Sequence, residues 1–115
     1  MEQVHPNAFV ADCPTRAILT RLAEKWTMLT LAALSENRMR FGDLHRRIEG
    51  VSQKMLTKTL RKLEEDGFVH REVFDEMPLR VEYELTELGK DIARLVVDLK
   101  SWLENSLDRI EAASK

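Results

Sequence analysis

The apolar residues between positions 41 and 67 recur at the three- and four-residue spacing of helices that bury one face. They predict a short helix over residues 41–50 and a longer one over residues 53–66. Gly50 can adopt the left-handed conformation that ends the first helix, and Ser52 can cap the start of the second. Gly67 can end the second helix in the same way as Gly50 ends the first. Two helices joined by so short a turn are typical of a helix-turn-helix.

The segments on either side of this helix pair predict three more helices and two strands. Cys13-Pro14 opens the first helix, because proline fits the first helical position, and Trp26 begins the apolar stripe of the second. Residues 68–74 and 80–85 alternate between apolar and polar side chains, as strands with one buried face do. A proline-containing turn joins them into a hairpin. A β-hairpin directly after the second helix of the pair indicates a winged helix.

Residues 86–113 predict a final helix about 40 Å long at 1.5 Å per residue, capped by Thr86. A domain of ~100 residues has a radius of gyration of about 13 Å, so such a helix must protrude. Its apolar stripe requires a partner, and the simplest partner is a second copy of the chain. The alternative is a helix that folds back on its own domain. The residues predicted at the dimer interface are Ile92, Leu95, Val96, Leu99, Trp102, Leu103 and Leu107.

Together these elements predict a mainly α fold with a small β-hairpin wing, a winged helix-turn-helix that dimerises through its terminal helices. Residues 1–12 show no periodicity and are expected to be an N-terminal arm that is flexible or contacts a partner. Residues 13–115 are expected to form the winged helix-turn-helix domain, with the dimerisation helix at residues 86–113. The length of 115 residues fits one domain.

Charge is unevenly distributed along the chain, although the net value is only −2. Residues 38–61 contain seven basic and two acidic residues, a net charge of +5. Residues 1–37 carry −1 and residues 62–115 carry −6. Positive charge is therefore concentrated in the helix pair, which is the pattern expected of a protein that reads duplex DNA.

The polar face of the helix over residues 53–66 carries side chains of the types that pair with base edges and phosphates. Gln53, Lys54 and Thr57 lie near its N-terminus, the part of a recognition helix that usually faces the bases. The alternative is a solvated basic face on an ordinary surface helix. The full set of predicted DNA-binding residues is Arg40, Arg46, Ser52, Gln53, Lys54, Thr57, Lys58, Arg61 and, on the wing, Arg80.

Cys13 is the only cysteine, which excludes an internal disulfide and fits a reducing cytoplasm. It lies at a predicted helix N-terminus with Arg16 one turn away, so the pKa of its thiol is expected to be lowered. A redox switch is one interpretation of this position. The other is a half-buried structural cysteine without reactivity.

Patterns for catalysis, metal binding or membrane insertion do not occur. His5, His45 and His70 show no metal-ligand spacing, and no nucleophile–base pair, paired carboxylates or phosphate-cradling glycine loop appears. We therefore expect no enzyme, no metal and no cofactor. Apolar runs fall short of the roughly 20 residues of a membrane span, and the first residues lack the pattern of a secretory signal. A cytoplasmic location without membrane association is expected.

Several of these stretches occur in the same order and spacing in a known family. The matching residues are Cys13-Pro14, Lys25-Trp26, RFGDL at 40–44, GVSQKMLT at 50–57, LEEDGFV at 63–69 and RVEYELTELG at 80–89. From residue 13 to about 103 the chain resembles the HxlR-type winged-helix regulators of bacteria, a MarR-like group.

This resemblance implies a dimeric transcriptional regulator, expected to be a repressor, that binds a roughly palindromic double-stranded operator. It also implies a response to electrophiles or oxidants through the cysteine that aligns with Cys13. Two departures stand out: Asp75 and Glu76 make the wing tip acidic, which places the wing's DNA contact mainly on Arg80, and no second cysteine is present.

Two other functions fit parts of the same pattern. A regulator that senses a small molecule without thiol chemistry would keep the DNA-binding face and bind its inducer in a groove between the dimer helices. A winged helix used as a protein-interaction module would instead carry an apolar or acidic outer face on residues 53–61, where the sequence is basic.

Overall fold

The computed structural model describes residues 5–114 and contains five helices and three strands within that range. Their order confirms the winged helix-turn-helix: two N-terminal helices, the helix pair, the hairpin and the long final helix. The bounds are α1 (Pro14–Leu22), α2 (Lys25–Glu36), β1 (Met39–Arg40), α3 (Phe41–Arg47), α4 (Gln53–Glu65), β2 (Val69–Phe74), β3 (Arg80–Leu85) and α5 (Glu87–Ala113).

Local side-chain chemistry sets the ends of α4, as expected from the sequence. The Ser52 hydroxyl accepts a hydrogen bond of 3.0 Å from the backbone N–H of Met55 and caps the helix start. At the other end Gly67 has φ +83°, and the N–H of Phe68 donates to the carbonyl of Leu63 at 2.9 Å. This is the Schellman arrangement, in which a left-handed residue turns the chain back over the last helical turn. The recognition helix is therefore bounded at both ends by its own residues.

The sheet contains one strand more than the predicted hairpin. The strands lie in the order β1-β3-β2, all antiparallel, and β1 pairs Met39 with Tyr83 and Arg40 with Glu82. β3 is therefore the central strand, which ties the start of the helix pair to the wing.

The core is built from one face of each of α2 to α5 and the inner ends of the wing strands. Leu31, Leu44, Leu56 and Leu60 are at most 2% exposed, and the half-buried Trp26 packs against this cluster. α5 contributes Ala93 and Val96, and it packs along α2. Burial of this apolar surface is the main stabilising contribution to the fold.

The N-terminal residues that the structure describes contact the start of α1. Residues 1–4 lie outside the described part of the chain, but residues 7–13 form turns held at the start of α1. The Arg16 guanidinium donates hydrogen bonds to the carbonyls of Ala8 and Phe9 at 2.9 and 2.8 Å. α1 itself buries no residue within the subunit, and the Arg21 guanidinium holds it to Asp66 at the end of α4 at 2.9 and 3.0 Å.

The C-terminal half of α5 extends beyond the rest of the domain. The radius of gyration is 16.6 Å, compared with about 13 Å for a compact domain of this length. Leu99, Trp102, Leu103 and Leu107 are between 44% and 53% exposed on this extension. The alternative, a helix that folds back on its own domain, holds for the part of α5 that packs along α2, whereas these four side chains remain about half exposed.

Candidate DNA-binding interface

The outer face of α4 presents the polar side chains selected from the sequence. Leu56, Thr59 and Leu60 are buried beneath the helix, while Gln53, Lys54, Thr57, Lys58 and Arg61 are exposed on the opposite side. Ser52 is also exposed beside the first turn of the helix, although its hydroxyl oxygen is engaged as the cap. Five of the nine predicted contact residues therefore lie together on one exposed helical face.

Ion pairing separates the basic residues of this region into two groups. Arg46 pairs with Asp43 at 2.6 Å, and Arg47 pairs with Glu36 at 2.9 Å. Arg40, Lys54, Lys58 and Arg61 form no ion pair with any residue in the range 5–114. In this region the unpaired positive charge is therefore on α4 and on strand β1, which directly precedes α3, where it is available to phosphates.

Arg80 does not have the free guanidinium that was expected of the wing's main DNA contact. Its Nη2 lies 2.9 Å from Glu76 and its Nη1 lies 2.8 Å from Glu82, while the guanidinium stacks 3.8 Å above the centre of the Phe74 ring. The side chain is 27% exposed. Its charge is thus already balanced by two carboxylates, and a phosphate would have to compete with them.

A basic residue that was not selected from the sequence lies opposite α4 on the wing. Arg71 is exposed on β2 and shares with Thr57 and Arg61 the lining of a groove of about 370 Å³ between α4 and the wing. Within residues 5–114 Arg71 forms no ion pair. Its position follows from the pairing of β2 with β3 beside α4, which single-sequence patterns do not reveal.

Cys13 caps α1 from a half-buried position, but the groups around its sulfur differ from those expected. The Sγ accepts a hydrogen bond of 3.3 Å from the backbone N–H of Asn7 and lies 3.4 Å from the Thr15 hydroxyl. These two contacts, that of Asn7 first, lower the pKa of the Cys13 thiol. Arg16 was expected to contribute, but its guanidinium binds the backbone of residues 8 and 9 instead.

The apolar stripe predicted on α5 serves two surfaces. Val96 is only 7% exposed and lies in the core of its own subunit, and Ile92 is half-buried against that core. Val96 therefore leaves little surface for a partner, because its position in the helix faces α2. The exposed remainder of the predicted set is Leu95, Leu99, Trp102, Leu103 and Leu107, with Ile110 beyond it.

A groove of about 550 Å³ opens between the end of α2, strand β3 and α5. Leu34, Ala93 and Val97 form its apolar side, and Arg38, Glu84 and Arg94 contribute to its polar side. Its size and mixed lining are suited to a small organic molecule. The groove lies within one subunit, beside α5.

The structure also assembles a possible metal-ligand group that the sequence did not reveal. His70, Glu72 and Glu84 each offer a ligand atom, and these atoms lie within 4.8 Å of one another. His70 and Glu84 are directly paired across β2 and β3. Spacing along the chain does not reveal the group, because two of its members come from one strand and the third from the other.

The fold and the exposed basic helix define a winged helix-turn-helix transcriptional regulator. The family model described as "HxlR-like helix-turn-helix" matches residues 21–111, and the chain belongs to this family. Such proteins bind DNA and are not enzymes. None of the helices in the described part of the chain is long and apolar enough to cross a membrane.

Individual relatives agree with this assignment. The uncharacterized HTH-type transcriptional regulator YtfH of Escherichia coli is 42% identical over 106 residues, covering 92% of this chain and 84% of YtfH. A solved structure of the regulator ytfH from Salmonella typhimurium has a TM-score of 0.89 and 39% identity, covering 96% of this chain and 98% of that one. The redox regulator HypR in its reduced form has a TM-score of 0.77 and 36% identity, and the match covers 86% of this chain and 98% of the HypR chain.

Proposed function

We propose that this protein is a homodimeric, cytoplasmic transcriptional repressor that reads a pseudo-palindromic operator with α4 and the wing. We further propose that it responds to oxidants or electrophiles through Cys13. The observation that carries the DNA-binding geometry is the row of exposed cations on α4. Lys54, Lys58 and Arg61 have no ion pair among residues 5–114, whereas Arg46 and Arg47 nearby are paired with carboxylates.

The position along α4 suggests a division of roles. Gln53, Lys54 and Thr57 lie in the first turns, which approach the bases in a major groove. Lys58 and Arg61 lie further along the helix and are assigned to phosphates, together with Arg40 on β1. Arg46 can reach a phosphate only by exchanging its exposed pair with Asp43, and such pairs contribute little.

On the wing, we assign the DNA contact to Arg71 in addition to Arg80. Arg71 faces the groove beside Arg61, whereas the charge of Arg80 is balanced by Glu76 and Glu82. Asp75 and Glu76 at the tip repel phosphates, so the wing contact is expected close to β2 and away from the tip. Replacing Arg71 by alanine should then weaken DNA binding more than replacing Arg80.

The dimer is proposed to form through the exposed apolar side chains of α5. Five apolar residues between Leu95 and Leu107 are 44% to 65% exposed, a surface that monomeric proteins rarely leave in contact with water. A two-fold dimer would place two copies of α4 on one face of a duplex about 34–36 Å apart, the spacing of successive major grooves. The operator is expected to be a pseudo-palindrome for this reason.

Salt dependence separates this function from that of a protein-interaction module. Each phosphate neutralised by a lysine or arginine contributes about −0.9 to the slope of log K against log salt concentration. Titration of a labelled random duplex with the protein at several salt concentrations should give a steep negative slope. A slope near zero would indicate that the basic face of α4 contacts something other than DNA.

The proposed signal acts on the thiolate of Cys13. The Cys13 thiolate would add to a ring carbon of a quinone and form a C–S bond. The two quinone oxygens would take up one proton from water and the hydrogen of the attacked carbon, which leaves a hydroquinone bound to the sulfur. Diamide would instead accept two electrons and two protons as two Cys13 thiols, one from each subunit, form a disulfide. The similar structure of HypR, described as a redox regulator, supports a redox response in this protein.

Mass spectrometry after mild treatment with diamide or a quinone, read together with operator affinity, tests this step. The expected result is modification at Cys13 with a loss of operator binding that is absent in the Cys13→Ser variant. An unmodified Cys13 or an unchanged affinity would refute the switch. The groove of about 550 Å³ beside α5 would then favour the second candidate, a regulator that binds a small-molecule inducer without thiol chemistry.

A further inference from the structure

One face of the wing combines a histidine with an excess of carboxylates. On this face His70 pairs across the strands with Glu84, and Glu72 pairs with Glu82. His70 is exposed, and the side chains of Glu72 and Glu84 are 40% and 39% exposed. Directly opposed like charges destabilise an antiparallel pair, so Glu72 and Glu82 require a cation between them.

Arg38 provides a cation for these carboxylates, but it does not neutralise all three equally. Its guanidinium lies 2.8 Å from Glu72 and 2.7 Å from Glu82 but 3.5 Å from Glu84. Glu82 is also bound by Arg80 at 2.8 Å. Glu82 is therefore doubly neutralised, whereas Glu84 has one long contact. His70 forms no ion pair among the described residues.

We propose that His70, Glu72 and Glu84 bind a divalent first-row transition-metal ion, with zinc as the representative. Their ligand atoms already lie within 4.8 Å of one another. Zinc binds imidazole nitrogen and carboxylate oxygen at about 2.0–2.2 Å, so its tetrahedral ligands lie roughly 3.3–3.6 Å apart. The distances between the three ligand atoms need to shorten by about 1 Å to reach that geometry, and the side chains are exposed enough to move. Three protein ligands leave the fourth position to water.

Arg38 competes with the metal in this arrangement. The ion would take the oxygens of Glu72 and Glu84 that Arg38 now contacts, while Arg38 would keep Glu82 at 2.7 Å. Two cations so close together repel each other, so removal of Arg38 should strengthen metal binding. A bound metal would join β2 to β3 within the wing. The proposal does not depend on which residues contact DNA.

Calorimetric titration of the full chain with Zn²⁺ tests the site. We expect one ion per chain and a loss of affinity in His70→Ala and Glu84→Gln that exceeds the roughly 10–100-fold loss typical of an outer-shell residue. Arg38→Gln should bind at least as tightly as the unmodified chain. The matched controls His5→Ala and Cys13→Ser remove two other potential ligands without touching the wing and should leave the affinity unchanged.

Circular dichroism should show that each variant is folded, and Glu84→Gln preserves the shape of the side chain in any case. A second readout uses Co²⁺, whose visible spectrum should change with His70→Ala but not with His5→Ala. The proposal is wrong if Zn²⁺ does not bind, if binding survives His70→Ala and Glu84→Gln, or if His5→Ala or Cys13→Ser removes it.

Discussion

At Gly89 the first turn of α5 lies against the carbonyl of Phe68, in the turn that follows α4. The chain enters α5 through Thr86, whose N–H donates to the Phe68 carbonyl at 3.1 Å and whose hydroxyl donates to the Gly67 carbonyl at 2.6 Å. The first turn of α5 therefore lies on the turn that ends α4. A Cβ at residue 89 would be placed on the carbonyl oxygen of Phe68, 2.9 Å from its carbon and 3.3 Å from Leu85 Cδ2.

We predict that Gly89→Ala destabilises the protein, although alanine is the better helix former. The obstacle is backbone, so α5 or the turn must move, and overpacking of this kind costs about 1–3 kcal/mol. If the shift also breaks the two hydrogen bonds of Thr86, each lost bond increases the destabilisation by about 0.5–1.5 kcal/mol. The higher helix propensity of alanine offsets about 1 kcal/mol of this destabilisation. The expected decrease in the free energy of unfolding is about 1–5 kcal/mol, and each kcal/mol lowers Tm by roughly 4–8 °C.

Urea and thermal unfolding at a fixed protein concentration measure this effect, because the proposed dimerisation would make stability depend on concentration. Gly42→Ala is the matched control. Gly42 is also helical, but its added Cβ would meet only the end of the Arg46 side chain at 3.4 Å. We expect this control to be neutral or more stable by up to about 1 kcal/mol. If Gly89→Ala proves as stable as Gly42→Ala, the close contact between α5 and the turn after α4 is wrong.

Three further predictions concern the proposed function. Lys58→Ala should weaken binding to all duplexes alike and flatten the slope of log K against log salt concentration by about 0.9 per subunit. Lys90 is paired with Glu87 on α5, and Lys90→Ala should change neither the affinity nor the slope. Thr15→Val should move the pH midpoint of Cys13 alkylation upward, because the hydroxyl lowers the pKa of the thiol, and Thr20→Val should leave it unchanged. Leu107→Glu should weaken the proposed dimer in sedimentation equilibrium by about 10²–10⁴-fold, since each of the two leucines buried in it contributes about 1.5–3 kcal/mol. Asp108→Asn, an exposed position that lies off the apolar stripe of α5, should leave the dimer unchanged.

The features that could be predicted from the sequence are those set by local chemistry. Ser52 and Gly67 act through hydrogen bonds within a few residues, so the pattern of cap, apolar stripe and glycine located α4 to within one residue. The length and periodicity of residues 86–113 predicted the protruding helix in the same way. The exposed face of α4 followed directly, because helical spacing alone separates Leu56 and Leu60 from Lys54 and Lys58.

The features that could not be predicted depend on which strands pair and on what packs against a helix. β1 is a strand only because β3 lies beside it, and the charge of Arg80 is balanced only because Glu82 and Glu76 lie within reach. Val96 lies on the predicted stripe, but the position of α2 decides that it is buried. Register and tertiary packing determine these outcomes, and neither is encoded in the spacing of one segment.

The proposed recognition of DNA by α4 is tested most directly by selection of bound duplexes from a random pool with the full chain at fixed salt. It predicts enrichment of a pseudo-palindrome whose half-sites are centred about 10–10.5 base pairs apart. It also predicts that Gln53→Ala changes the enriched sequence while Lys90→Ala does not. If no sequence is enriched, or if Gln53→Ala enriches the same sequence as the unmodified chain, base recognition by the exposed face of α4 is contradicted.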